Sequence, residues 1–224
     1  CLMGQMTSYA LLSSGVDLKA AADALAEEIV LYDQQLSSSP TEAGFIGRKE
    51  EAEELASLLA ARLEELGEEF PIEKRGREAS LTIKARELMR KAGSLVFEPS
   101  DGGPEWTVAV SVERSTLEEV FQRIPEFSLR FRRRFLEIVV FSSLKDAVRR
   151  IAELRRSLPF RGIMGVQSVG LAVRDELFDA VVAMLQEAGV QRVVPIRDMH
   201  LRSPLEPLNG KHLAREFVRI LYMR

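Results

Sequence analysis

Cysteine is nearly absent. The 224 residues hold one, Cys1, so neither an internal disulfide nor a cysteine-built metal site can form. That scarcity fits a reducing compartment, and the expected location is cytoplasmic. Histidine is almost as rare. His200 and His212 are the pair, without an HExxH motif or a carboxylate cluster beside them, so no metal is expected. Both read as surface or loop residues rather than catalysts. Apolar runs fall short of the roughly 18–20 residues a membrane-spanning helix needs. The opening stretch CLMGQMTSYALLSSG also lacks the basic flank and apolar centre of a signal peptide. An excess of positive charge is missing too: the net charge is -3, which gives no reason to expect nucleic acid or an anionic membrane as partner. Three motifs are absent: GxGxxG after a strand, a GxxxxGKS/T loop, and the GxSxG elbow. A complete nucleotide site therefore cannot be read from the sequence, and ordinary serine hydrolysis is not expected.

What is present is an ordinary globular composition, with 46% hydrophobic and 29% charged residues, in a chain long enough to bury a core. Tyr9–Leu12 is a short apolar run. A helix follows from an N-cap at Asp17, with apolar positions at Ala20, Ala24, Ile29 and Leu31, and ends around Asp33. Ala43–Gly47 reads as a buried strand between glycines. Arg48–Gly67 is an amphipathic helix with Leu55, Leu58, Leu59, Leu63 and Leu66 in one stripe, and Gly67 sits where a C-terminal cap belongs. Further helices are expected at Glu78–Lys91, Leu144–Arg156 and Asp175–Ala188. Further strands are expected at Glu105–Val112, Phe135–Phe141, Gly165–Val173 and Gln191–Ile196. Strands alternating with helices imply an α/β fold with a mostly parallel sheet flanked by helices. A turn at Asn209-Gly210 precedes a last helix or strand.

Few residues have a claim to chemistry. Cys1, at a chain end with no base beside it, is a poor nucleophile. The run RFRRRF, Arg130–Phe135, could hold phosphates, but reads more simply as a solvated face ahead of a buried strand. The serines Ser37–Ser39 before Pro40 have a plain explanation as a turn.

Taken together, the segments resemble the long-chain fatty acyl-CoA reductases (LuxC-like) of bacterial bioluminescence systems, a branch of the aldehyde dehydrogenase superfamily. VDLKAAADALAEEIVLYDQQLSSSP resembles that family's helix and nucleophile loop, usually D-Q-Q-x-C-S-S-P. AGFIG with its following helix, RFLEIVVFSSLKDAVRRIAEL, and GVQSVGLAV followed by AMLQEAGVQRVVPIRDMH match later segments in order. PLNG stands where a Pro-x-Asp-Gly turn is usual. The resemblance spans nearly the whole chain, and DQQ with SSP is its most specific part.

The resemblance implies one aldehyde-dehydrogenase-like catalytic domain over residues 1–224, with 200–224 as a candidate oligomerisation segment. It implies reduction of a fatty acyl thioester, such as fatty acyl-CoA, to the aldehyde through an acyl-enzyme, with NADPH as hydride donor. The homologous nucleotide-binding domain would precede this chain or lie on a partner subunit, and a homodimer or larger assembly is expected. Ser37 stands at the position of the nucleophilic cysteine. Gln34, Gln35 and Ser38 would shape the acyl or oxyanion pocket. Leu2 stands where the family has its general-base glutamate. These departures leave three readings: the catalytic half of a reductase, as a fragment, a split-enzyme piece or a chain with its nucleophile replaced; a non-catalytic pseudoenzyme serving binding or assembly; and an acyltransferase-like component with Ser37 as acyl acceptor.

Overall fold

The computed structural model describes residues 6–127, 131–160, 162–203 and 206. Five strands that alternate with helices are parallel because each crossover helix returns the chain to the starting edge of the sheet. They are β1 (Thr7–Ser13), β2 (Pro40–Ile46), β4 (Thr107–Val112), β5 (Phe135–Phe141) and β6 (Val166–Ala172), with β7 (Arg192–Pro195) added in the same sense. The seven-stranded sheet has the order β3-β4-β5-β2-β1-β6-β7, and only β3 (Leu95–Phe97) runs antiparallel.

The helices are α1 (Leu18–Val30), α2 (Lys49–Glu69), α3 (Gly76–Lys91), α4 (Leu117–Arg123), α5 (Leu144–Glu153) and α6 (Asp175–Glu187). Each central strand is buried on both faces, which is why Phe135–Phe141 reads as an apolar run, broken only by the buried Glu137, rather than an alternation. On one face, Ala10, Leu12, Phe45, Val108, Ile138 and Val140 pack under α1 and α2. On the other, Tyr9, Leu11, Val139, Phe141 and Val169 pack under α5 and α6. Ala109 and Phe135, also on that second face, lie under α3 and α4.

The expected α/β architecture holds, with differences at the ends of elements. α1 stops at Val30, three residues before the expected end, because the chain there turns left-handed. Gly67 does not end α2; the helix continues to Glu69. Its backbone there is helical and the space beside it is open, so nothing forces a break. Two elements went unforeseen: β3 is three residues long and α4 is seven, each too short to display a period. The expected turn at Asn209-Gly210, and nearly all of the 200–224 segment, lie outside the described residues.

Candidate functional site

The loop between α1 and β2 lies at the edge where the parallel strands begin, beside Thr7, Pro40, Phe135 and Val166. Its entry is unusual. Tyr32 and Asp33 have φ of 53° and Gln34 of 63°, three consecutive non-glycine residues in the left-handed region, a conformation that costs L-residues free energy at each position.

Gln34 holds it. The chain cannot both turn there and continue the β2–β5 ladder, so the Gln34 amide completes the ladder instead. The Phe135 N–H donates to Gln34 Oε1 at 2.7 Å, while Gln34 Nε2 donates to the Pro40 carbonyl at 2.6 Å and the Phe135 carbonyl at 3.2 Å. Both amide hydrogens are therefore committed to backbone oxygens, which leaves neither to serve an oxyanion. Asp33 adds a second tie: Arg134 Nε and Nη2 donate to its Oδ1 at 2.8 and 2.7 Å.

Beyond this anchor, Gln35 and Ser37 are exposed and Ser38 is buried. The Ser39 N–H closes a turn onto the Leu36 carbonyl at 3.1 Å. Ser8 Oγ donates to the Ser37 carbonyl at 2.7 Å, pinning the turn to β1. The Ser37 hydroxyl thus faces out from a backbone fixed on both sides.

Residues of the RFRRRF run crowd this edge, and the expected solvated face is overturned. Arg132 and Arg134 are each 3% exposed. Arg132 is wedged between the rings of Phe121 and Phe160, with centroids at 5.7 and 5.0 Å. Arg133 grips Glu78 through Nε and Nη2 at 2.7 and 2.6 Å, and lies 3.7 Å from Asp33. The carbonyl of Arg133 accepts from Lys74 Nζ at 2.6 Å. Burial of that amine lowers its pKa to about 7.

His200 lies in the stretch after β7, where its Nδ1 is 2.7 Å from Glu28 Oε1 and its backbone N–H donates to the same oxygen at 3.1 Å. Two residues on, Arg202 Nη2 donates to Ser168 Oγ at 3.3 Å, and Ser168 is the β6 ladder partner of Ser8. Sequence reading missed Ser8, Glu28, Ser168 and Arg202. Glu28 alone left a trace, since it falls seven residues after Ala21 and three after Leu25 on the inward face of α1. Cys1, Leu2 and His212 lie outside the described residues. A cleft of about 250 Å³ bordered by Glu113, Arg114, Glu118, Asp146 and Arg149 opens at the opposite edge and includes none of the loop.

A family model described as acyl-CoA reductase (LuxC) matches residues 1–220. No curated protein matches the chain. Among solved structures, a glyceraldehyde-3-phosphate dehydrogenase from Methanocaldococcus jannaschii, complexed with NADP, superposes with a TM-score of 0.61 at 10% identity, over 90% of this chain and 42% of its own. An oxidoreductase from Marinobacter aquaeolei gives 0.61 at 12% identity, over 91% and 40%. A methylmalonate-semialdehyde dehydrogenase from Oceanimonas doudoroffii gives 0.58 at 13%, over 92% and 42%. The fold is therefore that of the aldehyde dehydrogenases, and the chain spans well under half the length of these structures.

Proposed function

The chain belongs to the acyl-CoA reductase (LuxC) family, and on that premise we propose that it is the acyl-accepting half of a fatty acyl thioester reductase, with Ser37 as the acceptor. The observation that carries this reading is the loop itself. An exposed Ser37 follows a turn that Gln34 and Asp33 hold in a costly conformation, and strain so firmly maintained is characteristic of functional positions. The thioester carbonyl would lie over Ser37, with the Ser37 backbone N–H and the Gln35 amide as candidate donors to the oxyanion. Ser38, buried behind the loop, would support its shape.

NADPH is the reductant the family reading implies, and it supplies hydride to the acyl group when bound. The described residues do not fit it well. At the two strand-to-helix turns with glycine, after β1 and after β2, a neighbouring side chain lies close over the glycine. A Cβ at Gly15 would meet Arg174 Cδ at 2.7 Å, and one at Gly47 would meet Ser14 Oγ at 1.7 Å. The cofactor's binding residues are proposed to lie outside these 224, on a neighbouring domain or partner subunit, with a homodimer as the simplest assembly.

The test is incubation with decanoyl-coenzyme A followed by intact-mass and peptide analysis. An adduct on the Ser37 peptide, lost in Ser37→Ala, is the expected result. Absence of any adduct in both the native chain and Ser37→Cys would remove the reading. A second reading, a pseudoenzyme retained for binding or assembly, is favoured by one observation, serine where the family loop has cysteine. It requires that Ser37→Cys acylate while the native chain does not.

A further inference from the structure

A serine hydroxyl needs a base that a cysteine thiolate can do without. We propose that His200, oriented by Glu28, is that base. The inference rests on Ser37 as the acyl acceptor, and adds a residue set that the family's thiol chemistry does not call for.

Glu28 is 1% exposed in the last turn of α1. Its Oε1 takes the ring Nδ1 and the backbone N–H of one residue, His200, and its Oε2 has no partner among the described residues. A buried carboxylate bound to Nδ1 keeps the proton on that nitrogen and leaves Nε2 with its lone pair free, the tautomer a general base requires. The ring is not sealed in: the His200 side chain is 33% exposed.

Both members of the dyad belong to segments that flank Ser37. α1, which carries Glu28, runs directly into the loop. The stretch carrying His200 continues to Arg202, which bonds Ser168, which neighbours Ser8, which bonds Ser37. Ser8 and Ser168 are ladder partners one strand spacing of roughly 4.8 Å apart, and the Arg202 side chain and the Ser8–Ser37 bond make up the rest of this path. The ring and the Ser37 hydroxyl share no hydrogen bond among the described residues. Such contacts are commonly long before substrate arrives and tighten around the reacting group.

The step balances without an oxidant. The Ser37 O–H bond breaks and its proton passes to His200 Nε2 as Oγ bonds to the thioester carbon. The C–S bond then breaks, and the coenzyme A sulfur leaves with the proton from the imidazolium. The products are a Ser37 ester and the free thiol.

The experiment follows acylation by decanoyl-coenzyme A in the full chain by intact mass, across pH, with thermal melts to confirm folding. His200→Gln is expected to slow Ser37 acylation by about 100-fold or more and to abolish an inflection in the pH–rate profile. Glu28→Gln is expected to slow it about 10-fold by loosening the ring. In Ser37→Cys, adding His200→Gln should cost little, because the thiolate forms unaided. Equal rates for His200→Gln and the native chain would overturn the inference while leaving Ser37 as acceptor. An inert native chain beside a reactive Ser37→Cys would overturn it together with Ser37 as acceptor, and would favour the pseudoenzyme reading. If the double variant falls as far as His200→Gln alone, the dyad is a structural staple and the base role is wrong. Failure of both the native chain and Ser37→Cys would instead remove the acceptor reading, and this inference with it.

Discussion

Gln34 shows how one side chain can do the work of a strand end. Its amide takes the place of backbone partners for Pro40 and Phe135, so its removal leaves a buried N–H and two carbonyls without partners. Gln34→Met, which keeps the volume, is expected to lower the unfolding free energy by about 2–4 kcal/mol, read from urea denaturation. The same variant should acylate poorly even below its melting temperature, because the loop would lose its left-handed entry. Composition and spacing marked Ser37–Ser39 as a turn, and resemblance to a loop motif gave them a chemical reading. Neither revealed Gln34 as a brace, since its partner Phe135 is 101 residues away and no local pattern records such a contact. His200 was hidden for the same reason: its meaning depends on Glu28, 172 residues earlier.

Elements were more legible than contacts, because periodicity is local. Phe135–Phe141 was read with the bounds the structure gives, and the Asp17 cap is real, with Oδ1 accepting from the Ala20 N–H at 3.0 Å. The arginine run misled because its charge suggested water, whereas tertiary partners supplied Asp33, Glu78 and two aromatic rings. Gly67 misled because glycine usually marks helix ends. It sits inside α2 with open space around it, so Gly67→Ala is expected to stabilise the protein by about 0.5–1 kcal/mol, measurable as a raised Tm. Gly170 on β6 predicts the reverse. A Cβ there would meet Met199 Sδ at 2.3 Å and Ile196 Cα at 3.2 Å, so Gly170→Ala should push the 196–203 stretch away from the sheet. The expected cost is about 1–3 kcal/mol by denaturation, and the displaced His200 should slow Ser37 acylation at temperatures where the variant stays folded.

The stability of the whole molecule carries a pH signature from Lys74. Its amine has an ordinary pKa near 10.5 and one of about 7 in the folded chain, chiefly through burial. Between those values the unfolded chain holds a proton that the native one does not, so this group makes stability rise with pH from about 7 to 10.5. Comparison with Lys74→Met isolates the effect, since other titrations cancel. The native chain should gain about 1 kcal/mol or more on the variant between pH 7 and 10; a constant difference would show that the amine titrates normally. At this scale the fold was readable from the order of strands and helices alone. The assignment of chemistry was not, because it depends on which strand ends and loops the sheet brings together.

The placement of the loop where the strands begin has an electrostatic cost. α1, α2, α5 and α6 each return to that edge, and so they point their carbonyl-rich C-terminal ends at it, each equivalent to roughly half a negative charge. An acyl-transfer step that builds an oxyanion there develops it against an opposing field, the reverse of the helix N-terminus that welcomes anions in many α/β proteins. Arg202 stands along the same edge, with Arg133 and Arg134, which are paired to Glu78 and Asp33. Their gathering makes sense as counter-charge that the topology itself demands: removing one should raise the barrier to oxyanion formation more than it weakens the binding of a neutral thioester.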